Sequence, residues 1–107
     1  MLAAARERAV ARLASLEREF SGIVEAAQDA STDDEHDPEG ATLAFERQHV
    51  AALAQAARAY LADIDAALAR LADGSYGSCQ ACGQPIGAER LAARPAALTC
   101  IGCTRRR

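Results

Sequence analysis

Apolar residues recur with a four-three spacing through the first thirty positions of the chain. Leu2, Ala9, Leu16, Ile23 and Ala30 form one set, and Leu13, Phe20 and Ala27 the other. This spacing keeps one stripe on one face of a helix, and Arg6 alone interrupts it. A second run, from Ala41 to Ala72, repeats the pattern through Leu43, Val50, Leu53, Ala57, Leu61, Ile64, Leu68 and Leu71. Neither run contains Pro, and Gly22 is their one glycine. The pattern predicts two amphipathic helices of about 29 and 32 residues, each roughly 43 to 48 Å long at 1.5 Å per residue.

Helices with so narrow an apolar stripe must bury it, and a polar connection of about ten residues lets the second fold back on the first. The predicted fold is therefore mainly α, an antiparallel two-helix coiled-coil hairpin over residues 1–73. Pairing between chains into a dimeric bundle is the alternative to this monomeric hairpin. Asp73-Gly74 supplies the glycine that commonly follows a helix C-terminus. Residues 74–107 differ in kind, with five of the seven Gly, two of the three Pro and all four Cys, and read as a separate small subdomain.

Composition supports the helical reading. Alanine supplies 28 of the 107 residues, Trp and Lys are absent, and Phe20, Phe45, Tyr60 and Tyr76 are the aromatic residues, so helix formers far outnumber strand formers. A chain of this length forms one domain at most, and its core is only marginally stabilising without a metal or partner. No apolar run approaches the roughly 20 residues that cross a bilayer. Arg6, Glu7, Arg8 and Arg12 break up the N-terminus where a signal peptide needs an unbroken apolar region. The chain reads as cytoplasmic, with no membrane partner.

Charge is unevenly spread. The formal total is −3, yet residues 33–39 carry −5 and residues 74–107 carry +4. The stretch DASTDDEHDPE, residues 29–39, holds Asp29, Asp33, Asp34, Glu35, Asp37 and Glu39 without one Lys or Arg. Part of this is helix grammar, since Asp37 can cap a helix that starts at Pro38 and Glu39 favours its dipole. That accounts for two or three carboxylates. Asp33, Asp34 and Glu35 are either a solvated loop or an acidic tip built for a partner with a basic pocket. His36 and His49 read as surface polar residues.

Cys79, Cys82, Cys100 and Cys103 form two CxxC pairs separated by seventeen residues. Four thiolates at this spacing make the closed tetrahedral shell of one structural Zn²⁺. A redox CxxC belongs at a helix N-terminus in an α/β setting, and two disulfides fit a cytoplasmic chain poorly. A filled shell leaves no position for a reacting water, so this zinc folds the subdomain and performs no chemistry. Arg90, Arg94, Arg105, Arg106 and Arg107 lie close in sequence to this cluster. They either balance its net negative charge or form a partner-binding patch.

The segment YGSCQACGQPIGAERLAARPAALTCIGC resembles the zinc finger of the DksA/TraR family of bacterial transcription regulators, whose pattern runs YGxCxxCGxxIxxxRLxARPxxxxCxxC. Tyr76, Gly77, Cys79, Cys82, Gly83, Ile86, Arg90, Leu91, Ala93, Arg94, Pro95, Cys100 and Cys103 all match. The hairpin with an acidic tip resembles the family's architecture as well. The resemblance implies binding to RNA polymerase, with the hairpin inserted through the secondary channel and its tip near the active-site Mg²⁺. The family's tip motif, Asp-x-x-Asp-x-Ala, fits in two registers: Asp34 with Asp37, followed by Glu39 in place of Ala, or His36 with Glu39, followed by Ala41. Where the best-studied members hold guanosine tetraphosphate with basic residues, the second helix here offers Arg47, Arg58 and Arg70.

Two function classes follow: a polymerase-binding regulator, and a zinc-stabilised protein-interaction module acting elsewhere. An enzyme, the third class, is not expected, because no Ser/His/Asp set, phosphate-binding Gly loop or open metal site is visible in the sequence. Direct sequence-specific DNA binding is not expected, because a basic recognition helix is lacking and phosphates repel the acidic stretch.

Overall fold

Both long apolar runs are helical. The computed structural model describes residues 1–30 and 38–106, with side chains for 1–29 and 40–106. Its described elements are α1 (Leu2–Ala30), α2 (Pro38–Asp73), α3 (Ala88–Ala93) and α4 (Ile101–Arg105), together with one isolated antiparallel bridge between Ser78 and Pro85. The fold is mainly α, an antiparallel coiled-coil hairpin of α1 and α2 with a C-terminal four-cysteine finger. α2 starts at Pro38, ahead of the apolar run, because proline fits the first helical turn at no cost in hydrogen bonds.

α2 stops where its sequence changes. Gly74 takes φ 85°, a conformation that other residues adopt only with strain. Its amide then reaches back to the Leu71 carbonyl at 3.4 Å and that of Ser75 to the Arg70 carbonyl at 2.9 Å. These two bonds close the helix by the Schellman pattern and satisfy carbonyls left open in its last turn. The Asp73 carboxylate accepts from both the hydroxyl and the amide of Ser75. Those two bonds, the hydroxyl's first, hold its carboxyl below the ordinary value.

The chain forms two compact units. One comprises Met1–Arg8 and Tyr60–Arg107, the other Ala9–Ala59. In the first, Leu2 and Ala5 of α1 meet Ile64 and Ala67 of α2, with Leu68, Tyr76 and Ala96 packed against them. Ile64 is fully enclosed, a burial that stabilises by about 1.5 to 3 kcal/mol. Tyr76 and Ala96 come from the finger segment, so the metal-bearing part and the helix ends share this core. In the second unit Leu16, Val50 and Ala54 form the buried cluster, flanked by Leu13, Phe20, Ile23, Leu53 and Ala57.

The seam departs from the sequence reading in four places. Ala5 is buried, while Arg6 turns away and its Nε meets Asp65 Oδ1 at 2.7 Å. Helical geometry puts position 5 on the seam between 2 and 9, and the long Arg6 side chain reaches across to an acid on the partner helix. Both ends of that pair are about half exposed, so it contributes only about 0.2 to 1 kcal/mol. Ala54 and Ala67 are buried seam residues outside the predicted stripe, and Leu71, placed within it, is 54% exposed. None of the described helices is long and apolar enough to cross a membrane.

Candidate metal centre

The finger places its first cysteine pair on a tight turn. The Cys79 amide donates to the Gln84 carbonyl at 2.8 Å, and the Gly83 amide donates back to the Cys79 carbonyl at 2.8 Å. The Ile86 amide closes the base of the turn on the Gly77 carbonyl. Gly77 has φ 92°, and a Cβ there would lie 3.6 Å from Leu91 Cδ1, so backbone conformation rather than space requires glycine. The Gln80 amide donates to the Leu98 carbonyl at 2.9 Å, which brings the segment leading to the second pair alongside the first.

The second pair sits at the start of α4. Cys100 is its N-cap, in extended conformation, and Cys103 lies within the helix. The four sulfurs come within 4.8 Å of one another. Cys82 Sγ and Cys100 Sγ are 3.8 Å apart, and all four cysteines are free. Sulfurs bound at about 2.3 Å around one tetrahedral zinc sit roughly 3.8 Å apart. The cluster is therefore suited to one zinc ion held by four sulfurs, with no position left over for a reacting water.

Electrostatics within the cluster favour a cation. Backbone amides aimed at Cys79 Sγ, that of Cys100 foremost and then those of Cys82 and Ala81, hold this thiol down to about 6. The Cys103 amide lowers the Cys100 thiol in the same manner. Cys103 is pushed up to about 12 by the neighbouring sulfurs of Cys100, Cys82 and Cys79. The amides thus supply part of the compensation that thiolates need, while the last proton is held by mutual repulsion. A divalent ion removes that conflict, and its binding releases protons.

The arginines near the cluster divide into two sets. Arg90 turns inward, donating from Nε to the Thr99 carbonyl at 2.9 Å and from Nη2 to Thr104 Oγ1 at 3.1 Å. Arg94, Arg105 and Arg106 have exposed side chains, and Arg107 lies outside the described residues. So do Asp33, Asp34, Glu35 and Asp37 of the acidic stretch and the side chain of Glu39. Thr99 and Thr104 were not singled out from the sequence, where nothing distinguishes them from other surface threonines.

The Prokaryotic dksA/traR C4-type zinc finger matches residues 74–107. The RNA polymerase-binding transcription factor DksA of Caulobacter vibrioides is 55% identical over 40 residues, 37% of this chain and 28% of that protein. The uncharacterized protein YteA of Bacillus subtilis is 39% identical over 66 residues, 62% of this chain and again 28% of the relative. This chain thus matches little more than a quarter of the length of either curated relative. The solved structure of transcription factor DksA2 from Pseudomonas aeruginosa matches with a TM-score of 0.63 and 33% identity, covering 94% of this chain and 78% of that one. Finger, helices and sequence agree over almost the whole length, and the chain belongs to the DksA/TraR family.

Proposed function

We propose that this protein is an RNA polymerase-binding transcription regulator that works in the cytoplasm as a monomer. The observation that carries the reading is the likeness to a DksA-type transcription factor across 94% of the chain, hairpin and finger together. A curated relative that shares the finger is named for binding RNA polymerase. Residues 1–73 act as the arm and residues 74–107 as the finger that fixes its base. Cys79, Cys82, Cys100 and Cys103 hold one structural Zn²⁺, which orders a segment with little core of its own.

The arm enters the polymerase's secondary channel and brings Asp33, Asp34, Glu35, Asp37 and Glu39 close to the catalytic Mg²⁺. Carboxylates there compete for or reshape a field built from basic side chains and metal, changing initiation without making or breaking a bond. The protein is on this reading neither an enzyme nor a sequence-specific DNA binder. Arg94, Arg105 and Arg106 are available to contact acidic polymerase surface. A pull-down of purified core polymerase by the full, zinc-loaded chain tests the reading. Co-purification that 0.1 M salt weakens but does not abolish is expected. No capture at micromolar concentrations would favour instead an interaction module with another target.

A further inference from the structure

Arg90 sits in α3, ten residues before the first cysteine of the second pair, and its two hydrogen bonds fall on either side of that pair. Nε donates to the carbonyl of Thr99, the residue before Cys100, and Nη2 to the hydroxyl of Thr104, the residue after Cys103. The Thr104 hydroxyl in turn donates to the Cys100 carbonyl at 3.0 Å and lies 2.6 Å from the Thr99 hydroxyl. With its one proton given to Cys100, Thr104 Oγ1 accepts from both Arg90 and Thr99. One guanidinium therefore ties down both ends of the CIGC segment.

We propose that Arg90, acting through Thr104, is the positioning residue of the second half of the zinc site. The inference rests on the zinc reading above. The first pair is shaped by its own turn, through the bonds of Cys79 with Gln84 and Gly83. The second pair lies at the N-cap and within the first turn of a five-residue helix that contains no buried residue, too short to hold itself in water. Its order must come from outside, and the Arg90 fork supplies it. Holding Cys100 and Cys103 in ligating geometry before the ion arrives raises affinity, and keeping them there slows its loss. A fixed fork of donors is needed for this, which a lysine ammonium does not provide.

Arg90→Lys separates this role from simple charge compensation, because it keeps the charge and loses the fork. Zinc release from the full chain to an excess of a chelating dye is the measurement, with far-UV helicity as a check that the hairpin persists. Arg90→Lys and Thr104→Val are each expected to speed release about 10-fold or more. The double variant should be little faster than the quicker single one, since both break one network. Thr104→Ser, which keeps the hydroxyl, should restore the wild-type rate. Release from Arg90→Lys at the wild-type rate would overturn the inference and leave Arg90 as countercharge only. Additive effects in the double variant would equally overturn the route through Thr104. A wild-type chain that takes up no zinc would instead overturn the zinc reading itself.

Discussion

The Tyr76 hydroxyl donates to the Pro95 carbonyl at 2.8 Å, joining the loop that leaves α2 to the segment that follows α3. The same side chain packs on the Leu2, Ala5, Ile64 and Ala67 cluster, so one residue links finger and hairpin base. Tyr76→Phe keeps the ring and leaves the carbonyl without its partner, at a cost of about 1 kcal/mol. Urea unfolding of the zinc-loaded protein should show a lower midpoint with an unchanged slope. Burial raises the Tyr76 hydroxyl above its ordinary value of 10.0. Its contribution is therefore complete below that value and lost as pH rises through the raised one. The Phe variant should lack that alkaline component.

Ile64 is the one large side chain with no exposed surface among the described residues, and it shares its cluster with Leu2, Ala5 and Ala67. Ile64→Ala opens a cavity in this cluster, and the short side chains of Ala5 and Ala67 have little with which to refill it. A loss of about 2 to 5 kcal/mol is expected. Thermal unfolding followed at a helical wavelength measures it, and Ile64→Val should fall at about 0.5 to 1.5 kcal/mol.

Much of this was legible in the chain, and the failures have physical causes. Both helices follow from the four-three spacing, of Leu13, Leu16, Phe20 and Ile23 in α1 and of Leu61, Ile64, Leu68 and Leu71 in α2, and the end of α2 from Gly74, whose φ of 85° suits glycine. The cysteine cluster follows from CxxC spacing alone, because each pair must turn on itself. The inner seam was less readable, since alanine fills both seam and surface and carries no contrast. Ala54 and Ala67 look no different in sequence from the exposed Ala51 and Ala66. The Arg90, Thr99 and Thr104 network was hidden because it depends on how the chain between the two cysteine pairs folds. Resemblance to the family named Arg90 without saying which way its guanidinium points.

Cys79 is the buried member of the sulfur cluster, only 3% exposed, and several backbone amides address its sulfur. Cys79→Ser substitutes a hard, neutral hydroxyl for the soft thiolate that zinc requires. The variant should purify without zinc, and residues 75–107 should lose order, since metal binding contributes on the order of 10 kcal/mol to such segments. Elemental analysis together with amide exchange resolved along the chain checks both halves. Exchange protection in the helical residues 9–30 and 38–59, which belong to the other compact unit, should remain.

Asp34, Asp37 and Glu39 are the residues on which the proposed regulation turns, and Asp34→Asn, Asp37→Asn and Glu39→Gln together remove three charges while keeping size and capping ability. The decisive measurement is in vitro transcription from a ribosomal-type promoter, wild type against this triple variant, at concentrations that give equal occupancy of RNA polymerase. Affinity for polymerase should change little if, as proposed, the hairpin flanks and finger supply much of the contact. Wild type is expected to shift transcript yield and the triple variant to leave it at the level without factor. A triple variant that shifts yield as far as wild type does would contradict the acidic-tip mechanism and leave these carboxylates as solvated surface.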